Sequence, residues 1–429
     1  MSSQLFRATL FFGLGLFVAG SCSPLLAQKK FVANYDESKV PSYQLPPIWQ
    51  DDGEKTAESW QPRRAELMQL FGNQMYGTPP ESEFKIRFEE IESGKSFDGK
   101  ALRQQFRVEL ATEAGEHSID LLVFTPTNAT KPVPTFLGLS FFGNHTVADD
   151  KVITVTSSWC RSSKDKGVED NRATEAGRGT SKSRWPVEMI VDAGFGVATC
   201  YCGDIDPDFD DGFNNGVHAL FPGHRPDAEH PDRWGTISAW AWGLSRMLDC
   251  LQQEVKAVDG ERVVVIGHSR LGKTSLWTAA MDARFAGAIS NDSGCGGAAL
   301  SRRAFGETVE RINTSFPHWF CGDFKRYNKN ESALPIDQHQ LVALLAPRPV
   351  YVASASEDRW ADPKGEFLSA KLSSTVYEAL GHAGLKLEEL PPANTAEIGR
   401  VSYHLREGKH DINAWDWANY IRFMQQIAD

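Results

Sequence analysis

The chain has 429 residues, 41% of them hydrophobic and 24% charged, which is the composition of a globular protein large enough to bury a substantial core. Its formal net charge of −11 argues against a nucleic-acid partner, because such binding depends on Lys and Arg side chains that neutralise phosphates. Twelve tryptophans supply flat rings of the kind that stack on sugars, although we expect most of them to pack in the core.

The N-terminus has the pattern of a secretory signal peptide. Arg7 precedes an apolar run over residues 8–20, which is as long as a signal-peptide core and shorter than the roughly 20 residues that span a bilayer. We predict a signal peptide over residues 1–27, cleaved near Ala27, and therefore export to the periplasm or out of the cell. Lipid attachment at Cys22 is the less favoured alternative, since alanine is not the preferred residue three positions before such a cysteine. No later segment has the composition of a membrane span.

Residues 28–429 are predicted to form a single domain, since the sequence has no internal repeat, low-complexity tract or long linker. About residues 28–60 are polar and contain prolines, so we expect them to form an extended arm on the surface. We expect the protein to act as a monomer, without a nucleic-acid partner.

Six cysteines follow the signal peptide, and their spacing predicts neither a disulfide framework nor a metal-binding CxxC pair. We expect most of them to be buried free thiols, with a bridge between Cys295 and Cys321 left open. The other four are Cys160, Cys200, Cys202 and Cys250.

Apolar, β-branched segments alternate with helical segments along the rest of the chain. Strands are predicted within residues 117–126, 133–142, 194–204, 259–269, 285–294, 348–358 and 401–411, and helices within 184–194, 234–258 and 412–427. The alternation predicts a doubly wound, mostly parallel sheet in a three-layer αβα sandwich, with ligands bound beyond the carboxyl ends of the strands.

Residues with catalytic side chains follow four of these strands. They are Ser269, Asp292, the pair Glu357 and Asp358, and His410. Nucleophile, acid and histidine occur in this order in α/β-hydrolases, so the sequence predicts an α/β-hydrolase fold.

Residues 267–274, GHSRLGKT, match the GxxxxGKT pattern of a phosphate-binding P-loop, and Asp292 would suit the Mg²⁺ that such sites hold. Two observations argue against a P-loop. The signal peptide directs the chain to a compartment where nucleoside triphosphates are scarce, and a P-loop leaves His410 and Asp358 without a role. We therefore disfavour a nucleotide-binding site.

The same residues match a nucleophile elbow, in which a serine lies on a sharp turn between a strand and a helix. The match is imperfect, because Leu271 stands where the usual GxSxG motif has glycine. In this interpretation Ser269 attacks, His410 takes its proton, a carboxylate orients the imidazole, and the backbone N–H of Arg270 faces the developing oxyanion.

Arg270 and Lys273 fall in the first turn of the helix that follows the elbow. The helix dipole disfavours cations there by about 0.3–1 kcal/mol each. Because local preferences are violated where function requires it, we interpret the two charges as part of the site. They suit an anionic transition state or a substrate derived from an acid.

The motif GHSRLGK resembles the GCSRxGK motif of glucuronoyl esterases, carbohydrate esterase family 15, with His268 in place of the cysteine usual in fungal members. The resemblance covers most of the chain from about residue 120. It continues through NDSGCGG (291–297), GETVERIN (306–313), FPHWFCGDF (316–324), LPIDQHQLVALLAPRPVYV (334–352), EDRWADPKGE (357–366) and GKHD (408–411). Members of this family are secreted serine esterases that cleave the ester between glucuronic acid of xylan and alcohols of lignin, and they need no metal or other cofactor.

The resemblance implies that Ser269 is the nucleophile, His410 the base and Arg270 an oxyanion-stabilising residue. It also implies contacts to the uronic acid sugar. The residues that match those positions are Lys273, Glu307 and Trp360.

The catalytic acid is the position where this chain departs from the family. Many members have glutamate in an E-S-G motif, whereas this chain has Asp292 followed by Ser293 and Gly294. Asp358 matches an aspartate that bacterial members often carry after the next strand. We favour Asp358 as the triad acid, keep Asp292 as the second candidate, and regard Glu357 as a lesser one.

The sequence therefore predicts an exported serine esterase that hydrolyses glucuronate esters through a Ser-His-Asp triad and an acyl-enzyme. One alternative is an esterase for acetylated xylan or another carbohydrate ester on the same scaffold. A second is a non-catalytic carbohydrate-binding protein with a hydrolase-like fold. The acidic segment GDIDPDFDDG, residues 203–212, lacks the glycine and glutamate of an EF-hand at Phe209 and Asn215, so we expect a structured acidic loop there.

Overall fold

A mixed sheet of ten strands is the central element of the protein, seen in a computed structural model that describes residues 31–50 and 55–428. The predicted signal peptide and Cys22 lie outside the described residues. Residues 33 onward pack as one compact unit. Among the described helices, none is long and apolar enough to cross a membrane.

Six neighbouring strands of the sheet run parallel and carry the predicted site at their carboxyl ends. The order across the sheet is β1-β2-β3-β7-β4-β8-β9-β10-β12-β11, with antiparallel pairing among β1, β2, β3 and β7 and between β12 and β11. The strands are β1 Lys85–Ser96, β2 Ala101–Thr112, β3 Gly115–Pro126, β4 Val133–Ser140, β5 Val168–Glu169, β6 Arg172–Ala173, β7 Gly196–Tyr201, β8 Val258–His268, β9 Gly287–Asn291, β10 Val350–Ala355, β11 Thr395–Glu397 and β12 Val401–Arg406. Strands β5 and β6 form a separate two-stranded ribbon.

Helices cover both faces of the sheet. They are α1 Ala57–Phe71, α2 Val187–Asp192, α3 Cys202–Ile205, α4 Thr236–Glu254, α5 Arg270–Met281, α6 Val309–Ser315, α7 Gln338–Ala343, α8 Pro363–Ala379 and α9 Ala414–Ala428. Adjacent residues of a strand point to opposite faces, so Val263 and Val265 join the core beneath α4 and α5, whereas Val264 and Ile266 join the core beneath α2 and α9. A parallel strand buried on both faces is a continuous apolar run, and VVVI in β8 is such a run. The predicted α/β-hydrolase architecture is confirmed.

The extended N-terminal arm ends before α1, earlier than the expected end at about residue 60. Between Ala33 and Gln50 its regular structure is one 3₁₀ turn, Glu37–Lys39. Helix α1 then begins at Ala57, where the Thr56 side chain accepts a hydrogen bond from the Ser59 backbone N–H. The last few residues of the expected arm therefore belong to a capped helix.

The bridge left open between Cys295 and Cys321 does not form, and the six cysteines among the described residues are buried free thiols. Burial raises the pKa of Cys321 to about 12 and that of Cys160 to about 11. Buried neutral thiols of this kind act as small apolar side chains.

Candidate active site

Ser269 lies on a strained turn between β8 and α5. Its φ of 58° and ψ of −129° place a non-glycine residue in a rarely populated backbone conformation, as at a nucleophile elbow. The turn is tight because Gly267 lies against the next turn of chain, where an added Cβ would come within 1.9 Å of the Leu271 carbonyl oxygen. A hydrogen bond of 2.8 Å from the Ser269 N–H to the Asn291 carbonyl fastens the turn to β9.

His410 and Asp358 form a hydrogen-bonded pair beside this turn. The imidazole Nδ1 lies 2.6 Å from Asp358 Oδ2, with Asp358 buried and the His410 side chain 41% exposed. A backbone hydrogen bond of 2.9 Å from the Glu357 N–H to the Gly408 carbonyl joins the two loops that carry them. Because Asp358 accepts a hydrogen bond from Nδ1–H, Nε2 is the nitrogen without a proton and can act as a base. Glu357 itself is exposed.

Asp292 lies close to this pair without bonding to the imidazole. One oxygen of Asp292, one of Asp358 and a ring nitrogen of His410 all lie within 4.8 Å of one another. Asp292 Oδ2 accepts a hydrogen bond of 3.3 Å from the Asp411 N–H, and Arg406 lies 3.8 Å away. Burial, followed by the carboxylates of Glu366 and Asp358, raises the pKa of Asp292 well above its usual range, which favours its neutral form.

His268 packs against the His410 ring, with ring centroids 4.5 Å apart. Its Nδ1 lies 2.6 Å from Asn291 Oδ1, and an amide oxygen can only accept, so Nδ1 carries the proton. Burial and the neighbouring His410 hold the pKa of His268 well below its usual range, so this ring is neutral. Sequence reasoning noted His268 only as a replacement for cysteine and did not foresee this packing role.

Arg270 is held beside Ser269 by a carboxylate and by aromatic rings. Its Nε lies 3.0 Å from Asp208 Oδ2, and its guanidinium carbon lies 4.5 Å from the Phe141 ring centroid and 5.8 Å from that of Trp319. The Arg270 backbone N–H is the first of α5, and N–H groups at this end of a helix have no partner within the helix. Arg270 thus offers two kinds of hydrogen-bond donor, a guanidinium and a backbone N–H, directly after Ser269 in the chain.

Lys273, Glu307 and Trp360 converge near His410. The Trp360 indole N–H donates to the Glu307 carboxylate, and the Glu307 N–H donates to the Trp360 carbonyl at 3.0 Å. Burial raises the pKa of Glu307, and the nearby Lys273 charge and the bond from Trp360 partly oppose this shift. The Lys273 ammonium is buried and donates to the Ser293 carbonyl. Glu307 therefore links the three predicted sugar-binding residues, since it bonds to Trp360 and interacts with the charge of Lys273.

The acidic loop at residues 203–212 is structured by bonds to the protein, and its buried carboxylates have different partners. Asp204 accepts a hydrogen bond from Thr156, whereas Asp206 accepts from His218 and Thr236. Asp208 accepts from His318 and Trp319 and pairs with Arg270. No pattern in the sequence indicates that this loop contacts Arg270.

The chain is similar in sequence to known carbohydrate esterases. A model of the fungal glucuronyl esterase family matches residues 229–381. The carbohydrate esterase MZ0003, from an unknown prokaryotic organism, is 50% identical over 91% of this chain and 91% of its own length.

Solved structures agree along nearly the whole chain. A promiscuous CE15 esterase from a marine bacterial metagenome has 49% identity and a TM-score of 0.86, covering 92% of this chain and 99% of its own. A glucuronoyl esterase from Solibacter usitatus has 42% identity and a TM-score of 0.84, covering 92% of this chain and all of its own.

Proposed function

The chain belongs to carbohydrate esterase family 15, the glucuronoyl esterases, and from this membership we propose that it hydrolyses glucuronate esters of xylan with Ser269, His410 and Asp358 as its catalytic triad. The observation that carries the proposal is the bond of 2.6 Å between His410 Nδ1 and Asp358 Oδ2, next to a serine on a strained turn. The strained elbow and the paired imidazole favour catalysis over a non-catalytic binding role.

In the first half of the reaction Ser269 Oγ attacks the ester carbonyl carbon, and His410 Nε2 takes the hydroxyl proton. The carbonyl oxygen becomes an oxyanion, which the guanidinium and backbone N–H of Arg270 stabilise. Collapse of the tetrahedral intermediate breaks the ester C–O bond, and His410 protonates the departing alcohol. The product is an acyl-enzyme between Ser269 and the glucuronoyl group.

In the second half a water molecule attacks the acyl-enzyme while His410 takes its proton. The same donors of Arg270 stabilise the second oxyanion. The Ser269–acyl bond then breaks, His410 returns the proton to Ser269 Oγ, and free glucuronate leaves. Asp358 accepts a hydrogen bond from Nδ1–H of His410 throughout, which holds the imidazole in one tautomer and stabilises the imidazolium.

The sugar part of the substrate would bind between Lys273, Glu307 and Trp360. Lys273 offers a charged donor, Glu307 an acceptor for hydroxyl groups, and Trp360 an indole ring that suits a sugar face. The triad acid is Asp358 in this proposal, with Asp292 as a neighbouring carboxyl whose raised pKa favours its neutral form. Export through the signal peptide at residues 1–27 would bring the monomeric enzyme to its polymeric substrate.

Substrate class is tested by comparing kcat/KM on benzyl glucuronate with kcat/KM on an acetylated xylo-oligosaccharide. The proposal expects the glucuronate ester to be strongly preferred, because only that substrate presents a uronic acid to the sugar-binding residues. A clear preference for the acetyl ester would instead assign the same triad to an acetyl esterase.

A further inference from the structure

Asp208 is a buried carboxylate in the acidic loop, and three side chains from elsewhere in the chain converge on it. Oδ1 accepts hydrogen bonds from His318 Nε2 at 3.0 Å and from Trp319 Nε1 at 2.7 Å, and Oδ2 lies 3.0 Å from Arg270 Nε. The exposed Arg161 lies farther off, 3.9 Å from Oδ2. The carboxylate therefore joins the acidic loop, the 318–319 segment and the first residue of α5.

This carboxylate is charged in spite of its burial. Burial opposes ionisation, yet the Arg270 charge and the donors on His318 and Trp319 together hold the pKa of Asp208 well below its usual range. An ionised carboxylate bonded to several donors is a fixed anchor, because moving any partner would leave a buried charge unpaired.

The anchor determines which part of Arg270 remains for substrate. Asp208 pairs with the Nε edge of the guanidinium, and Phe141 packs on its face with the guanidinium carbon 4.5 Å from the ring centroid. The two terminal nitrogens lie on the opposite side of the planar group from Nε. Preorganised donors stabilise a transition state better than mobile ones, because they need no reorganisation when charge develops.

We propose that Asp208 is a positioning residue that fixes the Arg270 guanidinium for oxyanion stabilisation. This inference rests on the proposed function, since it takes the role of Arg270 from there. The Asp208→Asn substitution keeps the shape of the side chain but replaces one acceptor oxygen by an amide NH₂. In either orientation this NH₂ faces other donors, which are His318 and Trp319 at the Oδ1 position and Arg270 at the Oδ2 position. Arg270 then loses its charged partner and samples other rotamers.

A neighbouring aspartate provides a matched control. Asp206 is also buried in the acidic loop, but its carboxylate accepts from His218 Nδ1 at 2.9 Å and Thr236 Oγ1 at 2.6 Å. No contact joins the Asp206 carboxylate to Arg270 among the interactions of the described residues. Asp206→Asn should therefore lower the melting temperature and leave kcat unchanged.

The test is a double-mutant cycle on benzyl glucuronate with Asp208→Asn, Arg270→Ala and the double variant. Removal of an oxyanion donor typically lowers kcat by about 10²–10³-fold, so we expect that loss for Arg270→Ala and about a tenfold loss for Asp208→Asn, with KM within about twofold. In the Arg270→Ala background Asp208→Asn should cause no further loss of kcat. An equal loss from Asp208→Asn with and without Arg270 would overturn the inference.

The outcomes separate this inference from the proposed function. An unchanged kcat in Arg270→Ala would remove the oxyanion role itself, whereas a loss in Arg270→Ala with none in Asp208→Asn would overturn only the anchoring role. If Asp208→Asn does not fold, Trp319→Phe tests the anchoring role instead, in the wild type and in the Arg270→Ala variant. It removes one donor to Asp208 and keeps an aromatic ring, so kcat should fall a few-fold only when Arg270 is present, and an equal fall in both backgrounds would overturn the inference.

Discussion

The imidazole of His410 donates a hydrogen bond from Nδ1–H to Asp358, with 2.6 Å between Nδ1 and Oδ2, although an Asp292 oxygen lies within 4.8 Å of the same two groups. Asp358 follows β10 and Asp292 follows β9. The backbone bond between Glu357 and Gly408 brings the β10 loop to the histidine. Asp292 is instead engaged by the Asp411 N–H and has a raised pKa.

The first prediction concerns this choice of acid. Asp358→Asn should lower kcat by about 10⁴-fold, because an asparagine in this position favours the wrong imidazole tautomer. Asp292→Asn should lower kcat by less than about tenfold, because its raised pKa favours a neutral carboxyl and its side chain forms no hydrogen bond to the imidazole among those of the described residues. Steady-state kinetics on benzyl glucuronate measures both, and the reverse ranking would assign the triad to Asp292.

The second prediction concerns recognition of the sugar acid. Lys273→Met should raise KM for glucuronate esters by about tenfold or more, since loss of one hydrogen bond from a charged group costs about 1.5–3 kcal/mol. Hydrolysis of 4-nitrophenyl acetate, which has no sugar, serves as the control and should change little. An equal loss on both substrates would show that Lys273 supports the fold of the site and not recognition.

The third prediction concerns pH and stability. Glu366 is fully buried, accepts hydrogen bonds from the Gly294 N–H at 2.9 Å and Ser354 Oγ at 2.6 Å, and has its pKa raised by burial from 4.5 to about 8. Between pH 4.5 and about pH 8, Glu366 has released its proton in the unfolded state but keeps it in the folded state. The unfolded state thus binds fewer protons, and the free energy of unfolding falls as pH rises, by about 1.4 kcal/mol per pH unit from this group.

Glu366→Gln removes this titration and retains a donor and an acceptor. Urea unfolding at pH 5 and pH 7.5 should therefore show a smaller loss of stability in the variant than in the wild type. An equal fall in the free energy of unfolding between pH 5 and pH 7.5 in the two proteins would contradict the raised pKa of Glu366.

The fourth prediction concerns the thiols. Because the six cysteines among the described residues are buried and unpaired, a reducing agent should leave the melting temperature of a protein comprising residues 28–429 unchanged. Ellman's reagent should react slowly with the folded protein and with six thiols after unfolding in denaturant. A melting temperature that falls on reduction would indicate a disulfide.

Much of the fold was predictable because the parallel strands are buried on both faces. VVVI in β8 and VYVASA in β10 are apolar runs whose composition alone predicts strands, and candidate catalytic residues follow each within three positions. The hairpin of β1 and β2 was missed. The β1 sequence KIRFEEIESGKS is mostly polar and half exposed, so its strand structure depends on pairing with β2 and not on burial.

Within the site, the sequence located the residues but not their pairing. Asp292 and Asp358 both follow strands that end at the same edge, and only the loop contacts place Asp358 on His410. The contact between Asp208 and Arg270 could not be predicted from the sequence, because the two residues are distant in the chain. The neighbouring acidic residues have similar local sequence patterns, so nothing distinguishes Asp208 from them. The ring of His268 against His410 likewise follows from three-dimensional packing.

The role of Ser269 is tested most directly by the turnover of benzyl glucuronate in the wild type and in Ser269→Ala, with the melting temperature of both recorded. The proposed mechanism predicts loss of hydrolysis to the uncatalysed background in the variant, since no covalent intermediate can form, and an intact fold. Retained turnover in a folded Ser269→Ala protein would contradict it.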